Sequence, residues 1–449
     1  MAGNLSVRAS SRAHFHHTAV PRDAQTWEKS DLLSRVSRVL DFAAHVVQSL
    51  PTDGWPEVEG AEPKSPLGTL YDKVIAETAM LLLCAASLPD VDEGLKERAG
   101  LLAALLIPLA RSSSILAGVC ADPSRAAHCA VAHAVLSRLG YPDALVDQLL
   151  VESTALGSQF GAKLPEDRLE EDWVRRTWPG CTTARPERGL LGRSILGRQF
   201  DVLGCTRFDV YSFTHVIMYA TDFGGRRTRL PRPSSAIAAD ADAALALSLD
   251  IDDFDVTAEV SMTWPMLALA WSPAAIFAFG LMATVDDELG FVPGPTFDLN
   301  SYESSSIDQR PRYRFETSYH TTYMMGILCA AGLRRRCFPL KAVPLGDSTG
   351  SGLALARLLD REISESRWRA AFDALSPRQQ DAVGSLVLTI LLRRAKDRGD
   401  LSKVRTVLEL ALAHGLAEGP AVRQAVALLR RSASLSRIVA RGRTLPSDN

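Results

Sequence analysis

Apolar residues recur every three or four positions along most of the chain, which is the period of an amphipathic α-helix. In residues 31–50, DLLSRVSRVLDFAAHVVQSL, the pattern begins beside Ser30 and Asp31, two residues that can cap a helix. The same period predicts further helices over residues 69–88, 93–118, 123–139, 142–160, 163–178, 211–223, 235–249, 253–271, 273–289, 318–335, 352–363, 365–375, 378–398, 401–415 and 419–434.

Signals for β-strands are scarce along the chain. The run YSFTHVIMY (211–219) has β propensity, but its neighbours favour a helix. Consecutive helices joined by short loops pack as antiparallel pairs. The predicted fold class is therefore all-α, as an α/α toroid or an antiparallel array of helical hairpins.

The pattern divides the chain into four parts. Residues 1–28 are predicted to be a disordered arm and 29–345 a main helical domain with a central cavity. Residues 346–435 are predicted to be a C-terminal helical region and 436–449 a basic disordered tail. Within the main domain, residues 290–313 lack periodicity, which predicts a long loop that is either a functional lid or disordered.

The stretch 262–285 contains no charged residue and is long enough to cross a bilayer. Ser272 and Pro273 form an N-cap followed by proline at the first helical position, which divides the stretch into two short helices. Acidic residues flank both ends, so no positive-inside bias is present. We therefore expect a buried helical hairpin and no membrane span.

The composition narrows the class of protein. The 449 residues are 47% hydrophobic and 23% charged, with a formal net charge of −2. This balance is typical of a globular protein and lacks the basic charge that nucleic-acid binding requires. Abundant alanine and an excess of arginine over lysine suggest a bacterial source.

The N-terminal segment and the cysteines bear on location. Residues 1–23 contain no apolar stretch of a secretory signal. Their histidines, His14, His16 and His17, are predicted to be solvated residues of the arm, and the alternative is incidental metal affinity. The seven cysteines include no closely spaced pair, which favours reduced, buried thiols over zinc ligands. We expect a cytoplasmic protein.

Residues 211–223 carry four polar side chains on one predicted helix face. Tyr211, His215, Tyr219 and Asp222 are spaced three or four residues apart. Burying such groups costs roughly 1–3 kcal/mol each unless they find partners. The stripe is therefore either an interhelical hydrogen-bond network or part of an interior site.

A second segment, residues 316–323, has a similar arrangement, with Glu316, His320 and Tyr323 on one face. In each segment a histidine is followed by a tyrosine three or four residues later and then by an apolar run of small residues. The two helices are expected to face each other across a cavity.

Asp255 and Glu259 lie four residues apart, so both project from one face of a helix. Repulsion between two buried carboxylates raises the pKa of one of them and can create a general acid. Asp252 and Asp253, which precede them, are expected to act at the helix N-terminus as capping residues.

Asp250-Ile-Asp252-Asp253 matches the DxDD motif of class II terpene cyclases, which the chain resembles in these four residues. The resemblance implies an α/α-barrel enzyme in which an aspartic acid protonates an isoprenoid. Aromatic residues, which shelter the carbocations in such cavities, make up 7% of this chain.

Other charged or potentially ligating groups have simpler interpretations. Glu77 lies one turn after Lys73, which could be its structural partner. The loop 346–352 precedes a helix and could bind an anion or simply cap that helix. His128 and His133 are five residues apart and are predicted to be ordinary helix residues.

Two imidazoles with a carboxylate form the ligand set of many metal centres. His215 and His320 with Glu259 or Asp222 would provide it. No HxD, HxxxH or ExxH spacing accompanies these residues.

The segments YSFTHVIMYATDFG, DFDVTAEV and YHTTYMMGILCA resemble uncharacterised helical bacterial proteins encoded among natural-product biosynthetic genes. That resemblance implies a role in secondary metabolism. The chain is also similar to toroidal cyclases of the lanthionine type, whose Cys-Cys-His zinc site does not map onto these residues.

The predicted function is a helical enzyme of bacterial secondary metabolism. It would use acid–base chemistry on a small or peptide-derived substrate, in a cyclisation, an elimination or a similar reaction. The residues predicted to be catalytic are His215, His320, Asp255, Glu259 and Asp222. Those predicted to bind substrate are Tyr211, Tyr219, Glu316 and Tyr323. The alternatives are a non-catalytic binding or scaffold protein of a biosynthetic complex and a His/carboxylate metal enzyme. The sequence indicates neither a cofactor nor an oligomeric state.

Overall fold

The computed structural model describes residues 25–50, 70–157, 163–181, 189–359 and 366–442. Within these ranges the regular structure is helical, and the one β-bridge pairs Thr26 with Leu340. The predicted all-α class is thereby confirmed, while the toroidal arrangement stays a prediction.

The helices of the first half are α1 (Lys29–Ser49), α2 (Leu70–Ala86), α3 (Glu93–Ala110), α4 (Ser113–Ala121), α5 (Ala126–Cys129), α6 (Val131–Arg138), α7 (Ala144–Gly157), α8 (Pro165–Thr177), α9 (Leu190–Arg193), α10 (Arg207–Thr221) and α11 (Ser234–Asp250). Those of the second half are α12 (Phe254–Ser261), α13 (Thr263–Leu267), α14 (Pro273–Leu289), α15 (Leu299–Ser304), α16 (Arg310–Arg335), α17 (Ser351–Ala356), α18 (Arg367–Asp373), α19 (Pro377–Ala382), α20 (Gly384–Asp397), α21 (Leu401–Ala413) and α22 (Pro420–Gly442).

Helix α16 is an inner helix that packs against α1, α2, α12 and α13. Its residues 323–333 are all buried, as expected for a helix that is apolar nearly all round. At Gly326 the backbone lies so close to α1 that a Cβ atom would stand 2.7 Å from Cγ1 of Val39. A larger residue there would push the two helices apart.

The uncharged stretch 262–285 is divided as predicted. Ser272 caps α14 by accepting a hydrogen bond from the amide of Ala275 at 3.1 Å, and Pro273 is the first residue of the helix. Most of α12, α13 and α14 is buried. In the described ranges no single helix is long and apolar enough to cross a membrane, and α3 with α4, bent by 55°, passes that test only as a pair.

Two long predicted helices are broken in the structure. Residues 93–118 form α3 and α4, because Pro108 lies in the last turn of α3 and Ser112 caps α4. Residues 253–271 form α12 and α13, and α13 already ends at Leu267. Periodicity alone does not detect such breaks, since the apolar spacing continues across them.

Three segments predicted to be irregular are instead ordered in part. Residues 290–313 contain α15 and the first turn of α16, where Phe297 and Tyr302 pack 5.5 Å apart. In the predicted arm, the amide of Trp27 donates to the carbonyl of Pro339 at 3.0 Å. In the predicted tail, α22 continues to Gly442. The rest of the arm and tail, residues 1–24 and 443–449, lies outside the described residues.

The C-terminal helices extend the same hydrophobic core. Helix α20 packs on α11, and Nε of Arg394 donates to Oδ2 of Asp250 at 2.9 Å. The neighbouring Arg393 donates to the carbonyl of Cys205 at 3.1 Å. The core is therefore continuous across the boundary predicted at residue 345.

Candidate functional site

A cavity of about 810 Å³ is lined by residues of α2, α5, α8, α10, α12 and α16, among other segments. Part of its wall is apolar, including Met80, Val131 and Met324. The wall also contains three glutamates and three histidines that interact with one another: Glu77, Glu170, Glu259, His128, His215 and His320. Cavities of this size and mixed character are typical small-molecule sites.

The imidazole of His320 lies between three carboxylates. Its Nδ1 is 2.8 Å from Oε2 of Glu77. Its Nε2 is 3.1 Å from Oδ1 of Asp255 and 3.4 Å from Oε1 of Glu259. Helices α2, α12 and α16 therefore meet at one imidazole.

The start of α12 determines where two of these carboxylates lie. Asp253 caps the helix, accepting a hydrogen bond from the amide of Val256 at 3.2 Å. Asp255 and Glu259 then fall one turn apart and contact the same nitrogen of His320. The structure thus brings this predicted pair together on one face, as the spacing indicated.

Each carboxylate of this pair has one oxygen bound by a hydroxyl group from α10. Tyr211 donates to Oδ2 of Asp255 at 2.5 Å, and Thr214 donates to Oε2 of Glu259 at 2.6 Å. The other two oxygens, Oδ1 of Asp255 and Oε1 of Glu259, are buried and accept no hydrogen bond from the described residues.

The same two oxygens could serve as ligands of a cation. Donor atoms of Asp255, Glu259 and His320 all lie within 4.8 Å of one another, close enough for these residues to hold a metal ion. The set shares His320 and Glu259 with the predicted one, but Asp255 takes the place of His215 and Asp222 does not contribute.

The predicted stripe on α10 forms one wall of the cavity. Tyr211, His215 and Tyr219 all line it, with successive ring centroids 5.8 Å apart. Nε2 of His215 is 3.7 Å from Oε1 of Glu259, and the His215 side chain is 39% exposed. His215 is therefore open to the cavity and also close to the cluster formed by His320 with Glu77, Asp255 and Glu259.

Charges in the cluster shift the pKa values of its members. Burial raises the pKa of Asp255, with His320 acting against this rise and Glu259 adding to it. Burial opposes ionisation of Glu259, yet His215 and His320 hold its pKa well below the ordinary range. The pKa values of the two carboxylates thus shift in opposite directions, and that of Asp255 is raised chiefly by burial, with the predicted repulsion from Glu259 a smaller cause.

The histidines respond to the same carboxylates. Burial disfavours the imidazolium of His320, but Asp255 and Glu77 raise its pKa well above the ordinary value. Desolvation likewise disfavours the charged form of His215, and the adjacent Glu259 raises its pKa. The cluster is therefore a set of mutually stabilised charges at the wall of the cavity.

Glu77 contacts two basic side chains, of which the sequence suggested one. The expected partner Lys73 is present, with Nζ 3.6 Å from Oε1 of Glu77. The other carboxylate oxygen faces His320. Sequence spacing could find only the first of these contacts, because the second joins helices far apart in the chain.

A second imidazole–carboxylate pair in the cavity was missed by the sequence analysis. Nδ1 of His128 is 3.3 Å from Oε1 of Glu170. Burial opposes both charges, but His128 lowers the pKa of Glu170 and Glu170 raises that of His128. The available signal was that Glu170 precedes the buried Trp173 by three residues, which puts it on the inner side of α8.

Asp222, predicted to be catalytic, does not join the cluster. It is the C-cap of α10, with φ of 51°, so the helical spacing no longer applies at this position. Its carboxylate binds both terminal nitrogens of Arg138, at 3.0 and 2.9 Å, and the indole nitrogen of Trp173 at 2.9 Å. These contacts give it a structural role.

Two residues predicted to bind substrate also lie elsewhere. Glu316 is exposed and pairs with Arg312 at 2.7 Å on the surface of α16. Tyr323 is fully buried, and Thr78 donates to its hydroxyl at 3.1 Å. Of Glu316, His320 and Tyr323, His320 is the residue that lines the cavity, because the helix runs from the surface into the core.

The DxDD-like acids are engaged in structural contacts rather than aimed at the cavity. Asp250 binds Arg394, and Asp252 accepts hydrogen bonds from the amides of Arg367 and Trp368 at 3.1 and 3.4 Å. Asp253 caps α12, as predicted. None of the three acids lines the cavity.

The loop 346–352 holds a carboxylate supplied by the chain itself. Asp381 accepts hydrogen bonds from the amides of Thr349, Gly350 and Gly352 at 3.1, 3.0 and 2.9 Å. These amides are therefore already occupied, as in a capping loop.

Comparison with known families gives a match over residues 37–330, to the model described as a domain of unknown function, DUF6895. The chain belongs to the DUF6895 family. The matched range holds more than half of the chain and includes all the glutamates and histidines that line the cavity, so the site lies inside the DUF6895 domain. No curated protein and no solved structure matched the chain.

Proposed function

We propose that the DUF6895 domain of this chain is an enzyme that acts on a small or peptide-derived substrate bound in the cavity. The observation that carries this proposal is the meeting of His320 with Asp255, Glu259 and Glu77 at the wall of a cavity of about 810 Å³. Clusters of ionisable side chains in a cleft are typical of catalytic sites.

His215 is the group best situated to take a proton from a bound substrate. It is open to the cavity, and the nearby Glu259 would stabilise the imidazolium that forms. Tyr211 and Tyr219 flank it and would contact the substrate. This arrangement suits elimination or cyclisation, in which a proton leaves one atom of the substrate and another atom receives one.

A purely structural hydrogen-bond network explains the cluster less well. Buried networks of that kind normally pair every polar atom. Here Oδ1 of Asp255 and Oε1 of Glu259 accept no hydrogen bond from the described residues. The proposed role in bacterial secondary metabolism and the cytoplasmic location rest on sequence features alone and remain predictions.

Metabolite profiling tests the proposal. The purified protein would be incubated with small-molecule and peptide extracts of the organism that carries the gene, and consumption of compounds followed by mass spectrometry. We expect His215→Ala and His320→Ala to lower turnover by about 100-fold or more. His215→Ala should melt within about 2 °C of the wild type, whereas His320→Ala leaves buried carboxylates without their shared cation and should melt at a lower temperature while keeping its helical circular dichroism. The matched control is His45→Ala, since His45 is an exposed histidine of α1.

Equal turnover by the wild type and both variants would contradict the proposal. Loss of helical circular dichroism in either variant would give that histidine a structural role. A compound that binds without being converted, with equal affinity in all variants, would favour the alternative of a binding or scaffold protein.

A further inference from the structure

We propose that Asp255, Glu259 and His320 bind one divalent transition-metal ion. The inference deepens the proposed function by naming a cofactor for the same site, and it rests on that function only for what the ion does. Carboxylate oxygen and imidazole nitrogen are ligands shared by Zn²⁺, Mn²⁺ and Fe²⁺ sites.

Two buried carboxylate oxygens beside Nε2 of His320 lack a hydrogen bond of normal geometry. Oδ1 of Asp255 and Oε1 of Glu259 accept no hydrogen bond within the described part of the chain. The side chains are 6% and 1% exposed, so bulk water does not solvate them. Unpaired buried oxygens of this kind call for a bound ion or water.

The spacing of the three donor atoms also fits a metal ion. Nε2 of His320 is 3.1 Å from Oδ1 of Asp255 and 3.4 Å from Oε1 of Glu259. Ligands about 2.1 Å from a tetrahedral ion stand about 3.4 Å apart. The side chains would therefore need little movement to bind an ion between them.

Each of the three ligands is also held in place by a contact with a further residue. Glu77 faces Nδ1 of His320 at 2.8 Å, which leaves Nε2 for the ion. Tyr211 and Thr214 donate to the second oxygen of each carboxylate, Oδ2 of Asp255 and Oε2 of Glu259. Carboxylate–histidine–metal arrangements and oriented ligating carboxylates are the usual surroundings of protein metal sites.

The negative charge around His320 also favours a bound cation. Three carboxylates surround one imidazole, and two of the nearby cations are only partly available to them. Lys73 is 3.6 Å from Glu77, and Arg207 divides its contacts between Asp253 and Asp255. A divalent cation would offset the remaining negative charge, which is costly to bury unpaired.

The ion would be reachable from the cavity. Glu259 and His320 belong to the cavity wall, and Nε2 of His215 lies 3.7 Å from Oε1 of Glu259. His215 could complete the ligand set, or a substrate oxygen could take that position. An open position of this kind is characteristic of catalytic rather than structural metal sites.

Equilibrium dialysis with elemental analysis tests this inference. The full chain would carry His14→Ala, His16→Ala and His17→Ala, which removes incidental binding by the arm. Treated with a chelator and dialysed against Zn²⁺ or, separately, Mn²⁺, it should bind one ion per chain. His320→Ala and Glu259→Gln should weaken binding by about 100-fold or more, whereas the surface variant Glu316→Gln should bind normally.

Two variants outside the ligand set keep the inference testable if a ligand variant fails to fold. Tyr211→Phe and Thr214→Val leave all three ligands in place and should weaken binding by about 10-fold. The inference is overturned if neither ion binds stoichiometrically, or if binding survives His320→Ala and Glu259→Gln in the folded protein. Turnover by chelator-treated protein that binds no ion would overturn the metal site and leave the proposed function standing.

Discussion

Two groups of acidic residues lie next to each other in the chain and differ in what they contact. Asp250, Asp252 and Asp253 come before Phe254, and Asp255 and Glu259 come after it. In the first group each carboxylate is bound by a guanidinium group or by backbone amides. In the second group Arg207 also binds Asp255, but one oxygen of each carboxylate accepts no hydrogen bond from the described residues.

Asp250 and Asp255 show the difference most clearly, because they differ in the cations available to them. Asp250 binds Arg394, and among the described residues Arg394 contacts no other acidic side chain. Asp255, in contrast, shares Arg207 with Asp253 and shares His320 with Glu77 and Glu259. A carboxylate with its own cation stabilises the fold, whereas one that competes for shared cations adds negative charge to a site.

The largest effect we expect is from Asp250→Ala, which leaves Arg394 partly buried without its acid. The free energy of unfolding should fall by about 3 kcal/mol. Chemical denaturation measures this loss. The control is Asp373→Ala, which removes an exposed partner of Arg369 and should cost less than about 0.5 kcal/mol. Equal losses in the two variants would erase the proposed distinction between the acids.

A buried acid of a third kind, Asp242, should make the stability of the fold depend on pH. Asp242 of α11 has a hydrogen bond from Ser272 and no cation among the described residues, and burial raises its pKa to about 7. Between pH 4 and 7 the unfolded chain has lost this proton while the folded chain keeps it. Stability should therefore fall as pH rises through this range, by at most about 1.4 kcal/mol per pH unit.

Asp242→Asn tests that assignment, because an asparagine does not titrate. The stability of the variant should depend less steeply on pH than that of the wild type between pH 4 and 7, when both are measured by denaturation at each pH. Parallel profiles would mean that another group causes the dependence.

Much of the fold followed from hydrophobic periodicity. The bounds of α1 and α14 lie close to the predicted ones, since each helix has a regular apolar face. Helix α14 begins after its predicted cap, Ser272, whereas the N-cap of α1 is Glu28 and the predicted Ser30 and Asp31 lie in its first turn. The breaks within 93–118 and 253–271 were not predicted, because the apolar spacing persists through them. The order in residues 290–313 depends on aromatic packing, which periodicity does not report.

Part of the site also followed from spacing along single helices. Asp255 with Glu259, and Tyr211 with His215 and Tyr219, share faces as predicted. Asp222 was wrongly grouped with them, because the helix ends there. The contacts of Glu77 with His320 and of Glu170 with His128 join different helices, so the sequence could not supply them.

The central claim is that the charge of Asp255 is retained for the site and not for the stability of the fold. The free energy of unfolding of Asp255→Asn, measured at pH 7 in chelator-treated protein, tests it most directly. Asparagine can still accept the hydrogen bond from Tyr211, no cation loses its only acid, and repulsion with Glu259 is relieved. We predict a stability equal to that of the wild type or up to about 1 kcal/mol higher. A loss of about 3 kcal/mol, as expected for Asp250→Ala, would contradict the claim and make Asp255 a structural residue.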